Sequence, residues 1–165
     1  MTAKAIPVHV RLSTEHVTED GMSQRQQEEH SGHAWLNTNL WVVRFAEQMD
    51  GQQTGTTTVK AGDEQLTIIR RSEVTMRQRF EPGEETVGLY GHPYGRMEMA
   101  TKTEFLRRRV CRDRWQVEWH YQLRMNGVPS GTFHMNLVIA KANLWRTRST
   151  HGITTVKNSR HDPIF

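Results

Sequence analysis

The dominant period along this chain is two. Ile6, Val8, Val10 and Leu12 alternate with Pro7, His9, Arg11 and Ser13. Trp41, Val43 and Phe45 form a second apolar row, Leu66 and Ile68 a third, and Val74, Met76, Gln78 and Phe80 a fourth. Met97, Met99, Thr101, Thr103 and Phe105 follow, then Trp115, Val117, Trp119, Tyr121 and Leu123, and finally Phe133, Met135, Leu137 and Ile139. Such alternation sends one face of a strand into a core and the other into water, the habit of half-buried antiparallel strands. Turn chemistry separates the runs at Asp20-Gly21, Asn37-Thr38-Asn39, Asp50-Gly51, Gly62-Asp63, Glu81-Pro82-Gly83, His92-Pro93 and Asn126-Gly127. Ser23 to His30 is rich in helix formers, yet only Met22 offers an apolar neighbour, and a helix with no stripe to bury has no reason to form. It reads as the exposed start of a strand that kinks at Gly32 and continues through Trp35. The pattern thus predicts about nine or ten strands and no helix. A sandwich or a barrel would satisfy it, and closure favours the barrel because it removes exposed edges.

Residues opposite each other in a strand pair share a face. Both rows flanking Asn126-Gly127 are odd-numbered, so a plain two-residue turn would set them on opposite faces. A three- or five-residue loop through Asn126, Gly127, Val128 and Pro129 is therefore expected, with His120 and His134 close together outside. After Lys141 the alternation stops. The expected organisation is one barrel domain over 1–141 and a C-terminal tail over 142–165.

A length of 165 residues fits one domain. Apolar runs are short, as at Leu137-Val138-Ile139-Ala140, far below the ~20 residues of a membrane helix. The first twelve residues alternate instead of forming an apolar leader, so the expectation is a cytoplasmic protein with no membrane partner. The single cysteine, Cys111, excludes an internal disulfide framework and a four-cysteine zinc site. Net charge is +4, and 17 of the 22 basic residues are arginine. Arginine suits bidentate contacts to carboxylate or phosphate, so an anion or nucleic acid is a conceivable partner, and arginine-biased composition is the plain alternative.

The middle of the chain resembles a known family. Thr56-Thr57-Thr58-Val59-Lys60, then Ile69-Arg70-Arg71-Ser72-Glu73-Val74-Thr75-Met76-Arg77-Gln78-Arg79-Phe80, then Tyr90-Gly91-His92-Pro93-Tyr94-Gly95-Arg96-Met97-Glu98-Met99-Ala100-Thr101-Lys102-Thr103 are similar to the YwiB-like proteins, a bacterial family of unknown function. The likeness runs over roughly 5–140 and is densest at 54–105. It implies a closed antiparallel lipocalin-like (calycin) β-barrel of eight to ten strands. It brings no established reaction, so no catalytic residue carries over. The arginine-heavy stretch at 107–114 and the long tail after 141 depart from the family pattern.

Four groups could carry function. If the methionine rows point inward, Met76, Met97, Met99 and Met135 give an adaptable apolar lining, and Gln78, Thr101, Thr103 and Tyr121 add the few polar groups that orient a small ligand. Ordinary core packing is the competing reading. Arg77, Arg79, Tyr94 and Arg96, with His92, could gather at a barrel mouth and capture an anion, or could simply flank a rigid Pro-Gly turn. Arg107 to Arg114 is the strongest local cation, and a solvated hairpin loop is its leading explanation. His120 and His134 could approach across strands, but no metal or cofactor is expected. Glu98, Glu104 and Glu118 fall on polar rows and read as solvated. With no nucleophile–base pair, the expected function is non-enzymatic binding of a small apolar or anionic ligand in the barrel. The alternative is a nucleic-acid or anion-binding module using the arginine-rich faces.

Overall fold

A computed structural model describes residues 4–145. Ten antiparallel strands form one closed barrel: β1 (Ile6–Val17), β2 (Ser23–Leu36), β3 (Trp41–Met49), β4 (Gln52–Ala61), β5 (Leu66–Arg71), β6 (Thr75–Phe80), β7 (Glu85–His92), β8 (Gly95–Cys111), β9 (Arg114–Met125) and β10 (Val128–Lys141). Each strand pairs with its sequence neighbours, and β1 closes the ring by pairing with β10. One helical turn, α1 (Ala142–Trp145), follows β10. Among the described residues no helix is long and apolar enough to cross a membrane. Beyond Trp145, the tail expected over 142–165 lies outside the described residues.

The apolar rows lie inside. Val8, Val10, Leu12, Val43, Ile68, Phe80, Met99, Trp119, Tyr121, Phe133, Met135 and Ile139 are all at most 2% exposed. Phe80 on β6 reaches across the interior to Tyr121 on β9, with ring centroids 4.6 Å apart, and Tyr121 stacks on Phe133 at 5.2 Å. These rings fill the waist of the barrel, where close packing contributes roughly 1.5–3 kcal/mol per large side chain removed from water.

Two departures from the expected parity share one device, the bulge. The β9–β10 connection is a two-residue turn after all, because Val128 pairs with Met125. Asn126 and Gly127 adopt φ of 50° and 79°, as a tight hairpin of this hand requires. A register shift between Pro129 and Thr132 then adds the residue that returns both odd rows to the interior. In β8 a shift between Thr103 and Phe105 does the reverse. Phe105, expected in the inward row, faces out opposite His120, while Leu106, Arg108 and Val110 now occupy positions opposite inward residues of β9.

The two ends of the barrel differ. At one end Arg108, with a side chain 9% exposed, lies over the Trp41 ring at 4.5 Å. It donates to the carbonyls of Ala61 and Thr38, each at 3.3 Å, and to the Asp63 carboxylate. Arg108 is therefore a latch joining the β3 and β5 approaches to β8, not part of a solvated loop, because the β8 bulge turned it inward. The other end carries the turns β1–β2, β3–β4, β5–β6, β7–β8 and β9–β10. There the β2–β3 ladder stops at Gly32↔Phe45, so Ser23–Ser31 pairs only with β1. Gly32 marks the last close approach: a Cβ there would sit 2.2 Å from the Arg44 carbonyl.

Candidate functional site

Rows that are apolar through the waist turn polar toward the end opposite the latch. In β3 the row Trp41, Val43, Phe45 continues to Glu47, and in β5 the row Leu66, Ile68 continues to Arg70. Register then sets Phe45, Thr57, Arg70, Met76, Tyr90 and Met97 side by side across β3 to β8. Arg70 donates from Nε to Glu47 Oε1 at 2.7 Å and from Nη2 to Oε2 at 3.5 Å, and the Thr57 hydroxyl donates to the same carboxylate at 3.2 Å. Both ionic side chains are largely enclosed, with 14% and 16% of their surface exposed. Arg70 Nη1 is buried with no hydrogen-bond partner.

β2 lines the same end with Gln26, Glu28 and His30, which pair with Thr14, Leu12 and Val10 and so share their face. His30 stacks on Phe45 at 4.5 Å, and its Nε2 lies 3.0 Å from Glu28 Oε1. Farther along β1, His16 stacks on Phe133 at 4.1 Å and its Nε2 contacts the Ser130 carbonyl at 2.7 Å. At the rim, the Thr18 hydroxyl bonds to Asp20 and holds its carboxyl below the usual value. The charged set thus borders the buried Met76 and Tyr90 and the half-buried Met97.

Of the eight lining residues read from sequence, Met76, Gln78, Met99, Thr101, Thr103, Tyr121 and Met135 are buried and Met97 is half-buried. Gln78 has a structural task. Only Thr75–Arg77 of β6 pairs with β7. Beyond that point the Gln78 amide stitches the gap, with Nε2 at 3.2 Å from the Arg79 carbonyl, 3.3 Å from the Thr86 carbonyl and 2.8 Å from Thr101 Oγ1. Gln78 Oε1, Thr103 Oγ1 and Trp119 Nε1 are buried without a protein partner.

The four proposed anion residues are not gathered. Arg77 and Arg79 leave the outer face of β6, and Arg79 pairs with Glu81 at 3.4 Å near the latched end. Tyr94, 94% exposed, and Arg96 lie at the opposite end, since β6 itself runs from one end to the other. Outside, His134 and His120 stand directly opposite, with rings 5.9 Å apart. Glu118, half-buried, lies 2.5 Å from His134 Nε2, and Glu104, exposed as its polar row suggested, lies 3.0 Å from His120 Nδ1. The second contact lacks hydrogen-bond alignment. Among the described residues no group of three or more His, Cys, Asp or Glu side chains is placed to hold a metal ion.

The charged end escaped the sequence reading for a simple reason. A strand row made of Gln, Glu and His gives no hydrophobic alternation, so β2 looked exposed. The usable signal was the ionisable residue continuing an inward row, at Glu47 and at Arg70.

Residues 10–137 match the family described as a domain of unknown function, DUF1934. The chain belongs to this family. The crystal structure of the YwiB protein from Bacillus subtilis has the same fold, with a TM-score of 0.72 over 85% of this chain and 94% of that one, at 18% identity. The resemblance of the central motifs to the YwiB-like proteins is thereby confirmed, and at this identity the likeness bears on the fold alone. None of the curated proteins matches the chain.

Proposed function

We propose that this protein is a non-enzymatic, cytoplasmic binder of one small ligand with an acceptor-bearing head, such as a carboxylate or phosphate, held at the charged end of the barrel in the manner of a lipocalin-like container. The observation that carries this reading is the Glu47–Arg70 pair set among Phe45, Met76 and Tyr90. Stability alone argues for apolar residues at such positions, since an enclosed ion pair seldom outperforms well-packed hydrophobes of the same volume. Enclosed ionisable groups that keep an unused donor are a mark of a site. Arg70 Nη1 is the unused donor for the head group. The aromatic waist confines the ligand to this end, so Met76 and Met97 line it, while Gln78, Thr101 and Thr103 serve the core.

Native mass spectrometry of freshly purified protein and a thermal-shift screen of small organic acids and phosphates test the reading. A co-purified mass, or a melting shift abolished in Arg70→Met, supports it. No bound mass and no shift from any compound overturns it. A second reading rests on Arg107, Arg109 and Arg112, exposed around the β8–β9 turn: contact with an anionic polymer. Filter binding of RNA and DNA at two salt concentrations decides it, because phosphate contacts must weaken steeply with salt.

A further inference from the structure

The seam between β2 and β3 leaves a second feature that ligand binding does not use. From Ser23 to Ser31, β2 is paired with β1 on one side, and among the described residues its other side carries no ladder. The segment contains no proline, so each of its outward N–H groups can donate to an added strand. An unpaired edge of this length is a template for strand addition unless its side chains forbid it.

We propose that this edge joins a second copy of the same chain, β2 against β2, antiparallel about a two-fold axis at Gln27. The charge sequence selects both partner and register. Centred on Gln27, Arg25 of each copy faces Glu29 of the other, Gln26 faces Glu28, Gln24 faces His30, and no like charges meet. Centred on Glu28, the two Glu28 carboxylates would face each other. Centred on Gln26, no opposite charges would pair. A run of one sign would repel a second copy wherever the charges met, whereas the mixed signs of Arg25 and Glu29 permit pairing. Arg25 and Glu29 lie on the outer face, each held on its β1 side, Arg25 by Glu15 at 3.1 Å and Glu29 by His9 at 3.2 Å. Arg25 remains 82% exposed, so its guanidinium is available to the second copy. The two-fold contact is isologous and therefore closes at a dimer.

Analytical ultracentrifugation of the full chain tests this. The wild type sediments as a concentration-dependent dimer. Arg25→Glu and Glu29→Arg each turn two attractive contacts into two repulsive ones and weaken the dimer about tenfold or more. The double variant R25E/E29R restores it, and an equimolar mixture of the two single variants forms the heterodimer, since both cross-pairs are then attractive. Circular dichroism verifies that each variant is folded. A wild type that stays monomeric through high micromolar concentration overturns the proposal. A dimer that both single variants form as readily as the wild type also overturns it. Ligand binding at the charged end is read separately by thermal shift, so either proposal can fail alone.

Discussion

Removing one partner of the Glu47–Arg70 pair strands the other charge in a recess. In Arg70→Met the Glu47 carboxylate keeps only the Thr57 hydroxyl, and in Glu47→Leu the guanidinium loses its counter-charge. Breaking a fully buried pair costs about 3–5 kcal/mol. These side chains retain 14% and 16% of their exposure, so the lower end applies, about 3 kcal/mol for either single change. For a chain of this size that is a fall of about 6–12 °C in Tm. The double variant Glu47→Leu with Arg70→Met removes both charges and keeps the volume, and is expected within about 1 kcal/mol of wild type, or above it. Urea denaturation gives the three values, and the coupling between the sites is the difference between the double change and the sum of the singles. If each single change costs under about 1 kcal/mol, or if the two costs add, the pair is not the enclosed interacting unit described here and the case for a retained functional charge fails.

Two further outcomes follow from packing. A Cβ at position 88 would lie 2.1 Å from Gln78 Oε1 and 2.3 Å from the Arg77 carbonyl, so Gly88→Ala displaces the amide that stitches β6 to β7; a loss of about 1–3 kcal/mol in urea denaturation is expected, with hydrogen exchange accelerated first in those two strands. Arg108→Ala removes the latch over Trp41 and its contacts to three backbone or carboxylate acceptors; it is expected to cost about 2–3 kcal/mol and to change Trp41 fluorescence, while unchanged melting would show the latch to be idle.

The barrel was legible because its waist is made of residues that obey the period-two rule. Trp119, Tyr121, Met135 and Ile139 bury where alternation sends them. What alternation cannot show is a change of phase. The bulges after Thr103 and Pro129 each insert one residue; Pro129 and Gly131, at φ 98°, announce the second, but no residue type announces the first, so Phe105 was assigned inward and Arg108 outward when the reverse holds. Nor can alternation show an inward row that is polar. Gln26, Glu28 and His30 acquire their common face from pairing with β1, a contact between strands whose own sequences say nothing of it. Gln78 was correctly seen as an interior polar residue, but its task depends on the early end of the β6–β7 ladder, which only the assembled sheet reveals.

The latch has a practical corollary for anyone recoding this scaffold. Arg108 ties the segments around Thr38, Ala61 and Asp63 to one guanidinium, so lengthening either connection there would disconnect a shared anchor. The turn at Asp50-Gly51 on the far rim is exposed and hangs from no such knot. Peptide grafts at that turn therefore leave the base intact, provided Glu47 and its partner Arg70 are kept.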